Sequence, residues 1–313
     1  MKGEFEMIED IRRMFTVPAG ITGIGDDCAV IPQRSGDDTL VSTDMLVEGS
    51  HFLLDDISAY QLGWKAAAVN FSDIAAMGGS PVGSFLALAL PAGIPDGWVE
   101  SFMEGYRDIS AKYAFPLLGG DTTASQDRLC ICVTVLGKSL SGRCLKRSGA
   151  QPGDLVCVTG TLGDSAAGLQ AILKHCPRTD EVPYLIERHY FPQPRIEEGL
   201  ALAQCPGVHA AMDISDGIAS DLGHILDASG VGARIVLQDV PMSGMMQSFC
   251  AGKGFDAYAL AVGGGEDYEL LFTVDPEAER GLGVQHTVIG NITQDKGLVW
   301  EGSAREYRGF THF

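Results

Sequence analysis

Acidic residues stand beside small residues at several points of the chain, and an apolar run adjoins each point. We expect such segments to bring their carboxylates together at one mouth of the fold. Two carboxylates about 4 Å apart repel by roughly 4 kcal/mol at an effective dielectric near 20, so a cluster must take up protons or hold cations. Oxygen-liganded cations such as magnesium fit best, and magnesium usually arrives with a phosphorylated ligand. The acidic positions are Asp26, Asp27, Asp44, Asp73, Asp121, Asp213, Asp216, Glu266 and Asp267.

Five compact segments of acids with glycines or hydroxyls contain most of these carboxylates. Each segment alone is typical of an ordinary turn or helix cap. Together they favour a site for phosphate and metal, because glycines let backbone amides approach phosphate while carboxylates and hydroxyls ligate the metal. The segments are residues 23–27, 42–44, 119–123, 213–217 and 263–267.

The familiar nucleotide-binding signatures are absent. Residues 137–139 resemble the end of a P-loop, but Cys132 stands where the first glycine must be. Residues 23–25 begin like a dinucleotide-binding fingerprint, but Cys28 replaces its third glycine. Asp73 lies inside an otherwise apolar helical segment, where a lone carboxylate is costly unless it binds a partner. This position favours a metal ligand over a structural residue.

Composition limits the class of protein. The 313 residues suggest two domains, and a hydrophobic content of 45% suffices for ordinary cores. The formal net charge of -19, from 41 acidic against 22 basic residues, argues against nucleic-acid binding. The eight cysteines show no Cys-x-x-Cys spacing, so we interpret them as reduced core residues. The acidic N-terminus lacks the apolar stretch of a signal peptide, and no apolar run approaches the ~20 residues of a membrane span, so we expect a cytoplasmic protein.

Helices and strands that could position the acids follow from the periodicity. Ser58 and Gln61 predict a capping box, and the apolar positions after them carry a helix to Gly78 and Gly79. Asp96 predicts the N-cap of a second helix. The predicted strands of this half are residues 39–43, 84–90 and 129–136, the first ending at Asp44.

A domain boundary is predicted over residues 147–153, where two glycines and a proline interrupt both periodicities. We therefore expect an α/β (α+β) protein of two αβ domains, residues 1–148 and residues 149–313. In the second domain the pattern predicts strands at residues 155–159, 208–212, 233–237 and 270–274, and helices near residues 164–174, 195–203 and 217–228.

The acidic segments resemble those of the thiamine-monophosphate kinase family in their residue sequences and in their order along the chain. This family belongs to the superfamily that also contains aminoimidazole ribonucleotide synthetase. The resemblance covers nearly the whole chain. Relatives that perform sulfur, selenium or carbamoyl chemistry have a reactive cysteine or selenocysteine near a terminus, whereas the first cysteine here is Cys28, inside a metal motif. The matching parts are residues 25–27 (GDD), 42–44 (STD) with 51–52 (HF) downstream, 69–78 (VNFSDIAAMG), 119–123 (GGDTT), 159–168 (TGTLGDSAAG), 213–217 (DISDG) and 264–270 (GGEDYEL).

The resemblance implies an enzyme that moves the γ-phosphate of ATP directly to thiamine monophosphate, giving thiamine diphosphate. It implies a homodimer whose N-terminal domains pair their sheets, a C-terminal αβ sandwich, and ATP in the cleft between domains. Several Mg²⁺ ions are implied, on Asp27, Ser42, Thr43, Asp44, Asp73, Asp121, Asp213 and Asp216, with Asp44, Asp73 and Asp121 as the catalytic acids. Contacts with ATP are implied for Gly120, Asp121, Arg147 and Ser215, and contacts with the thiamine phosphate for His51, Glu266 and Phe310.

The chemistry agrees with these residues on physical grounds. The acceptor phosphate is mostly ionised at neutral pH, since its second pKa is about 6, so the reaction needs no side-chain base. The same carboxylate-rich, lysine-poor site suits a metal-dependent phosphohydrolase or an ATP-driven ligase, which stays the alternative. A non-catalytic nucleotide sensor is disfavoured, because every segment keeps its acid.

Three of the implied contacts leave a second interpretation open. His51 follows a glycine and a serine, so it also fits a surface turn. Phe310 either covers the thiazolium ring by a cation–π contact or anchors the chain terminus. Arg147 either neutralises phosphate or pairs with a nearby acid.

Overall fold

The computed structural model describes residues 20–22, 25–33, 36–177 and 179–310 of the chain. These residues form two sheets with helices packed against them. The described strands are β1 (Ala29–Pro32), β2 (Asp37–Val47), β3 (Ser80–Pro91), β4 (Leu117–Ser125), β5 (Cys130–Leu140), β6 (Leu155–Val158), β7 (Val208–Asp213), β8 (Gly232–Val236), β9 (Leu270–Val274), β10 (Thr287–Thr293) and β11 (Gly297–Glu301). The described α-helices are α1 (Ala59–Ala76), α2 (Trp98–Lys112), α3 (Asp164–Leu173), α4 (Glu181–Tyr190), α5 (Ile196–Ala203), α6 (Ile218–Ser229), α7 (Gly244–Lys253), α8 (Ala257–Gly263) and α9 (Pro276–Glu279), and Leu237–Asp239 form a 3-10 helix.

The first sheet has the strand order β1-β2-β5-β3-β4. Neighbouring strands are antiparallel except β3 and β4, which are parallel. Helices α1 and α2 cross closely, since a Cβ atom on Gly63 or Gly105 would collide with the backbone of the other helix. Both helices contribute to one core with the sheet, in which Phe71 stacks on Phe115 at a ring-centroid distance of 4.0 Å.

The second sheet has the strand order β11-β8-β10-β6-β9-β7. Its neighbours are antiparallel except β8 and β11. A large core with residues of α3, α4, α6, α7 and α8 packs against this sheet. A smaller core contains Ala75 and Ala76 of α1 together with Leu202 of α5 and Phe272 of β9. Helix α1 therefore belongs to the cores of both sheets.

Local sequence signals account for α1 better than for α2. The capping box of Ser58 and Gln61 is confirmed, with both of its hydrogen bonds present at the start of α1. The helix ends before Gly78, which has a φ of +64°. The prediction of Asp96 as a cap is wrong, because the N-cap of α2 is Gly97 and makes no side-chain hydrogen bond.

Asp44 was expected at the end of a strand, and Asp121 in one of the five acidic segments, but both lie within strands. Strand β2 continues through Asp44 to Val47, and strand β4 runs through the glycine-rich residues 119–123 around Asp121. Pairing with a long neighbour explains both results, because β2 matches β5 over its whole length and β4 pairs with β3. Ladder hydrogen bonds and neighbouring strands outweigh local turn propensity here.

The α/β (α+β) class with two sheets is confirmed. The division at residue 148 stays a prediction, as does the pairing of two N-terminal sheets in a dimer. All eight cysteines are free, and Cys28, Cys157 and Cys250 are buried. No helix among the described residues is long and apolar enough to span a membrane.

Candidate active site

A cleft of about 1460 Å³ has lining residues from both halves of the chain. Asp44 and Asp73 line it from the first half, and Asp213 and Asp216 from the second. Arg147 is the only lysine or arginine among the described residues that line it. The cleft therefore gathers carboxylates and has little side-chain countercharge.

Three carboxylates form the centre of this cleft. Asp27 precedes β1, Asp73 lies in the last turn of α1, and Asp213 ends β7. One oxygen from each carboxylate lies within 4.8 Å of the others. Asp27 and Asp213 are buried, and the Oδ2 atom of Asp27 has no hydrogen-bond partner. A buried, unpartnered carboxylate oxygen among other carboxylates fits a hard divalent cation.

The electrostatics of the cluster oppose ionisation of all three acids. Burial, followed by the charge of Asp27, raises the pKa of Asp213 to about 7. Burial and the charges of Asp44, Asp213 and Asp27 raise the pKa of Asp73 well above its ordinary value. Burial raises the pKa of Asp27 as well, although Arg147 opposes the shift. A divalent cation would reverse this balance by favouring the ionised forms.

Arg147 is the nearest cation to this cluster. Its Nη2 atom lies 2.5 Å from Oδ1 of Asp27, and its backbone amide donates to Oδ1 of Asp26 at 2.8 Å. The guanidinium pairs with a local acid, as the second interpretation expects, and it also lines the cleft. Its planar fork can serve a carboxylate and an arriving phosphate in turn.

Alternation along β2 separates the three residues of its metal motif. Ser42 and Asp44 are two positions apart and therefore point to one face of the sheet, where both interact with Asp73. The hydroxyl of Thr43 points to the other face and donates to the carbonyl of Val133 at 3.2 Å. The hydroxyl of Thr43 is therefore directed away from Asp73.

Residues 213–217 form the second wall of the cleft. Ser215 and Asp216 line it, and the backbone amide of Asp216 donates to the buried carboxylate of Asp221 at 3.2 Å. The amide of Phe310 donates to the carbonyl of Asp216 at 3.0 Å, which fixes the C-terminal segment beside this wall. Phe310 itself lines the cleft and keeps 49% of its surface exposed.

His51 and Glu266 also line the cleft. The Nδ1 atom of His51 accepts a hydrogen bond from the amide of Val47 at 2.9 Å. Glu266 has a φ of +63°, and one of its carboxylate oxygens lies 2.9 Å from Nζ of Lys65. The cleft thus has a cluster of carboxylates and, besides it, a carboxylate that is paired with a lysine.

Gly120 and Asp121 are not brought into this cleft. They line a separate depression of about 420 Å³ beside β4, together with Leu86 and Leu117. All other residues implied by the family resemblance line the main cleft. Within a single chain, therefore, the structure gathers every candidate except these two.

Three residues beside these acids were missed by the sequence analysis. Ser72 interacts with Asp213 from α1 and lowers its pKa, and Lys65 and His189 contact Glu266. Lys65 had a signal that was available, since it interrupts an apolar helix eight residues before Asp73. Nothing local distinguishes His189, which lies in the last turn of helix α4. Residues 23 and 24 of the first acidic segment lie outside the described residues.

Known proteins share both the sequence and the fold of this chain. Family models described as AIR synthase related protein match it, the N-terminal domain over residues 25–139 and the C-terminal domain over residues 151–301. The chain is 44% identical over 308 residues to the thiamine-monophosphate kinase of Salmonella typhimurium, covering 93% of this chain and 92% of that protein. A solved structure described as AaThiL complexed with AMPPCP and TMP has a TM-score of 0.91 at 35% identity, covering 99% of this chain and 97% of the other. The structure of thiamine-monophosphate kinase from Stenotrophomonas maltophilia has a TM-score of 0.79 at 35% identity, covering 96% of this chain and 98% of the other.

Magnesium should stabilise the folded protein through Asp73. We expect Asp73→Asn to raise the stability in EDTA by about 1 kcal/mol, because it removes one of the repelling carboxylates, and to lose most of the gain in Tm on adding Mg²⁺. Thermal unfolding with Mg²⁺ titrated from zero measures both effects. Asp96→Asn, at an exposed position outside the cleft, is the matched control. Equal stabilisation by Mg²⁺ in wild type and Asp73→Asn would contradict the site.

The stability of the protein in EDTA should fall as pH rises from about 4 to about 7. Asp213 has a folded-state pKa of about 7 against an ordinary 3.8, so the native state binds more protons over this range and loses stability as they dissociate. The upper bound is about 4 kcal/mol for this residue. Urea unfolding in EDTA at pH 5 and pH 8 measures the difference, and Asp213→Asn should reduce it. An unchanged difference in that variant would show that Asp213 is not its source.

Proposed function

Because this chain belongs to the AIR synthase related family and to the thiamine-monophosphate kinases within it, we propose that it transfers the γ-phosphate of ATP to thiamine monophosphate. The products are ADP and thiamine diphosphate. The observation that carries the proposal is the cleft itself, in which Asp27, Asp73 and Asp213 converge and two further acids line the walls. The relative complexed with AMPPCP and TMP supports it, since AMPPCP is an analogue of ATP.

The carboxylate cluster defines where the phosphates react. Bound Mg²⁺ would supply positive charge that neutralises donor and acceptor phosphates and the charge spread over the transferring group. The buried orphan oxygen of Asp27 and its close carboxylate neighbours fit such ions. Arg147 and Ser215 line the same region and can donate hydrogen bonds to ATP oxygens. The residues proposed to hold Mg²⁺ are Asp27, Ser42, Thr43, Asp44, Asp73, Asp121, Asp213 and Asp216.

His51 serves as a hydrogen-bond donor in this mechanism and not as a base. Its Nδ1 accepts from the amide of Val47, so the neutral ring carries its proton on Nε2. The nitrogen that could take a proton is therefore already engaged with the backbone. Thiamine monophosphate needs no base, because its phosphate loses its second proton near pH 6. His51, Glu266 and Phe310 are proposed to bind the acceptor.

A homodimer would explain why Gly120 and Asp121 lie outside the cleft. Strand β4 is an edge strand whose residues from Leu117 to Ala124 are all exposed. Leu118 and the neighbouring Phe85 expose 51% and 40% of their surfaces. A long exposed apolar edge is unusual in a monomer and is a ready surface for another copy. We propose that two copies pair at this surface and that Asp121 of each copy serves the cleft of its partner.

A phosphohydrolase or ATP-driven ligase of this architecture is the competing function. The cleft fits the kinase better, because its acid cluster and its paired Glu266 occupy different parts of one cavity and can hold a phosphate and an organic group together. Hydrolysis of ATP alone gives Glu266 and its lysine no role.

Product analysis tests the proposed function. ATP, Mg²⁺ and thiamine monophosphate should yield ADP and thiamine diphosphate in equal amounts with little free phosphate, as measured by mass spectrometry and a phosphate assay. Asp73→Asn should form neither product while keeping its circular dichroism spectrum, because the reacting phosphates lose a metal ligand. Free phosphate equal to ADP, with no thiamine diphosphate, would instead support a hydrolase.

Mixing of two inactive variants tests whether Asp121 acts across the dimer. Asp73→Asn and Asp121→Asn should each be inactive, but coexpression should restore about a quarter of wild-type activity, because half of the dimers are mixed and each mixed dimer has one intact site. Coexpression of Asp73→Asn with Asp27→Asn, two variants of the same cluster, should restore nothing. Mixed dimers isolated by two different tags and found inactive would place Asp121 outside the partner's cleft.

A further inference from the structure

Lys65 is an enclosed lysine within helix α1, with 1% of its side chain exposed. A buried ammonium group is costly unless it is paired and hydrogen-bonded. Its Nζ atom lies 2.9 Å from Oε1 of Glu266 and 3.3 Å from Nε2 of His189. Lys65 does not itself line the cleft, whereas both of its partners do. Any effect of Lys65 on a ligand must therefore pass through these partners.

The contact with Lys65 fixes the state of His189. An ammonium group only donates, so Nε2 of His189 must accept and its proton is on Nδ1. That proton faces the Ser165 hydroxyl at 2.9 Å and Oε2 of Glu266 at 3.5 Å. Burial, and then the charge of Lys65, lower the pKa of His189 to about 3, in agreement with a neutral ring. His189 thus adds a hydrogen-bond donor beside Glu266 without adding charge.

The backbone around Glu266 is held in an unusual conformation. Glu266 and Tyr268 have φ values of +63° and +52°, a region that non-glycine residues rarely adopt. Hydrogen bonds of 2.8 Å from Glu266 to the Ser215 carbonyl and of 2.9 Å from Tyr268 to the Ile214 carbonyl secure it. The carboxylate still exposes 28% of its side chain to the cleft. With Lys65 on one oxygen, it keeps lone pairs for a ligand.

Helix α1 connects this carboxylate with the metal cluster. Lys65, Val69 and Asp73 recur every four residues and so share one side of the helix. Eight residues at 1.5 Å per residue separate Lys65 and Asp73 by about 12 Å along the helix axis. Val69 lines the cleft between them. One rigid element therefore supports both the phosphate end and the Glu266 end of the cavity.

We infer that Lys65, together with neutral His189, is a positioning residue that keeps the Glu266 carboxylate ionised and aimed at the organic part of the acceptor. This inference rests on the proposed function and adds to it the origin of acceptor selectivity. An ionised, oriented carboxylate favours a group that is cationic or carries N–H donors, and thiamine offers both in its thiazolium ring and its amino group. Lys65 would then act on acceptor binding and not on phosphoryl transfer.

Steady-state kinetics of Lys65→Met separate these roles. We expect KM for thiamine monophosphate to rise roughly tenfold or more, while kcat and KM for ATP change less than about threefold. Lys253→Met removes an exposed lysine at the end of α7 and should leave all three constants unchanged. Wild-type formation of thiamine diphosphate is measured first, and its absence would overturn the proposed function and this inference together.

A double-mutant cycle with Glu266→Gln distinguishes positioning from a general loss of structure. If Lys65 acts through Glu266, Lys65→Met should change KM for thiamine monophosphate by less than about twofold in the Glu266→Gln background. This arm stays decisive if Lys65→Met alone fails to fold, because the double variant leaves no unpaired buried charge. Active wild type with an unchanged KM in Lys65→Met, a parallel rise in both KM values, or multiplicative effects in the double variant would each overturn the inference.

Discussion

Mutual repulsion among Asp27, Asp73 and Asp213 is the constraint on which the rest of the site depends. Their oxygens lie within 4.8 Å of one another, and burial raises the pKa of each. No single element supplies more than one of these acids. The acids instead come from the segment before β1, the end of α1 and the end of β7, and the packed cores behind those elements hold them together. Repulsion makes the cluster unfavourable without cations. Relief of this repulsion therefore adds to the free energy of cation binding.

The few positively charged side chains near the cleft are paired with its carboxylates. Arg147 touches the cluster at Asp27, and Lys65 is hidden behind Glu266, so no lysine among the described residues opens onto the cavity. Two of the histidines that line the cleft engage a ring nitrogen as an acceptor, Nδ1 in His51 and Nε2 in His189. In a site of this kind, metal ions that arrive with the ligands supply most of the positive charge that side chains do not provide. That property suits a reaction between two anions that arrive with metal.

The sequence predicts some parts of this arrangement much better than others. The start of α1 follows from a capping box that depends on four adjacent residues, and the acidic segments point to a metal site because several of them recur in one chain. Strand β4 was missed because glycine and aspartate favour turns, whereas its pairing with β3 depends on residues far away in the chain. The direction of the Thr43 side chain could not be predicted without the register of β2. The pairing of Lys65 could not be predicted because its partner His189 is 124 residues away. Non-local contacts are what the local pattern does not contain.

Helix α1 supports residues of the cleft from both halves of the chain. Its early residues pack with α2 and the first sheet, while Ala75 and Ala76 pack with Leu202 and Phe272 of the second half. Asp73 meets the carboxylates from both halves, and Lys65 meets Glu266 and His189 from the second half alone. The spacing between Asp73, at the metal cluster, and Lys65, at Glu266, is therefore set inside one helix. A shift of the second half relative to α1 would disturb both contacts at once, so the carboxylate cluster and the Lys65–Glu266 pair depend on the same packing.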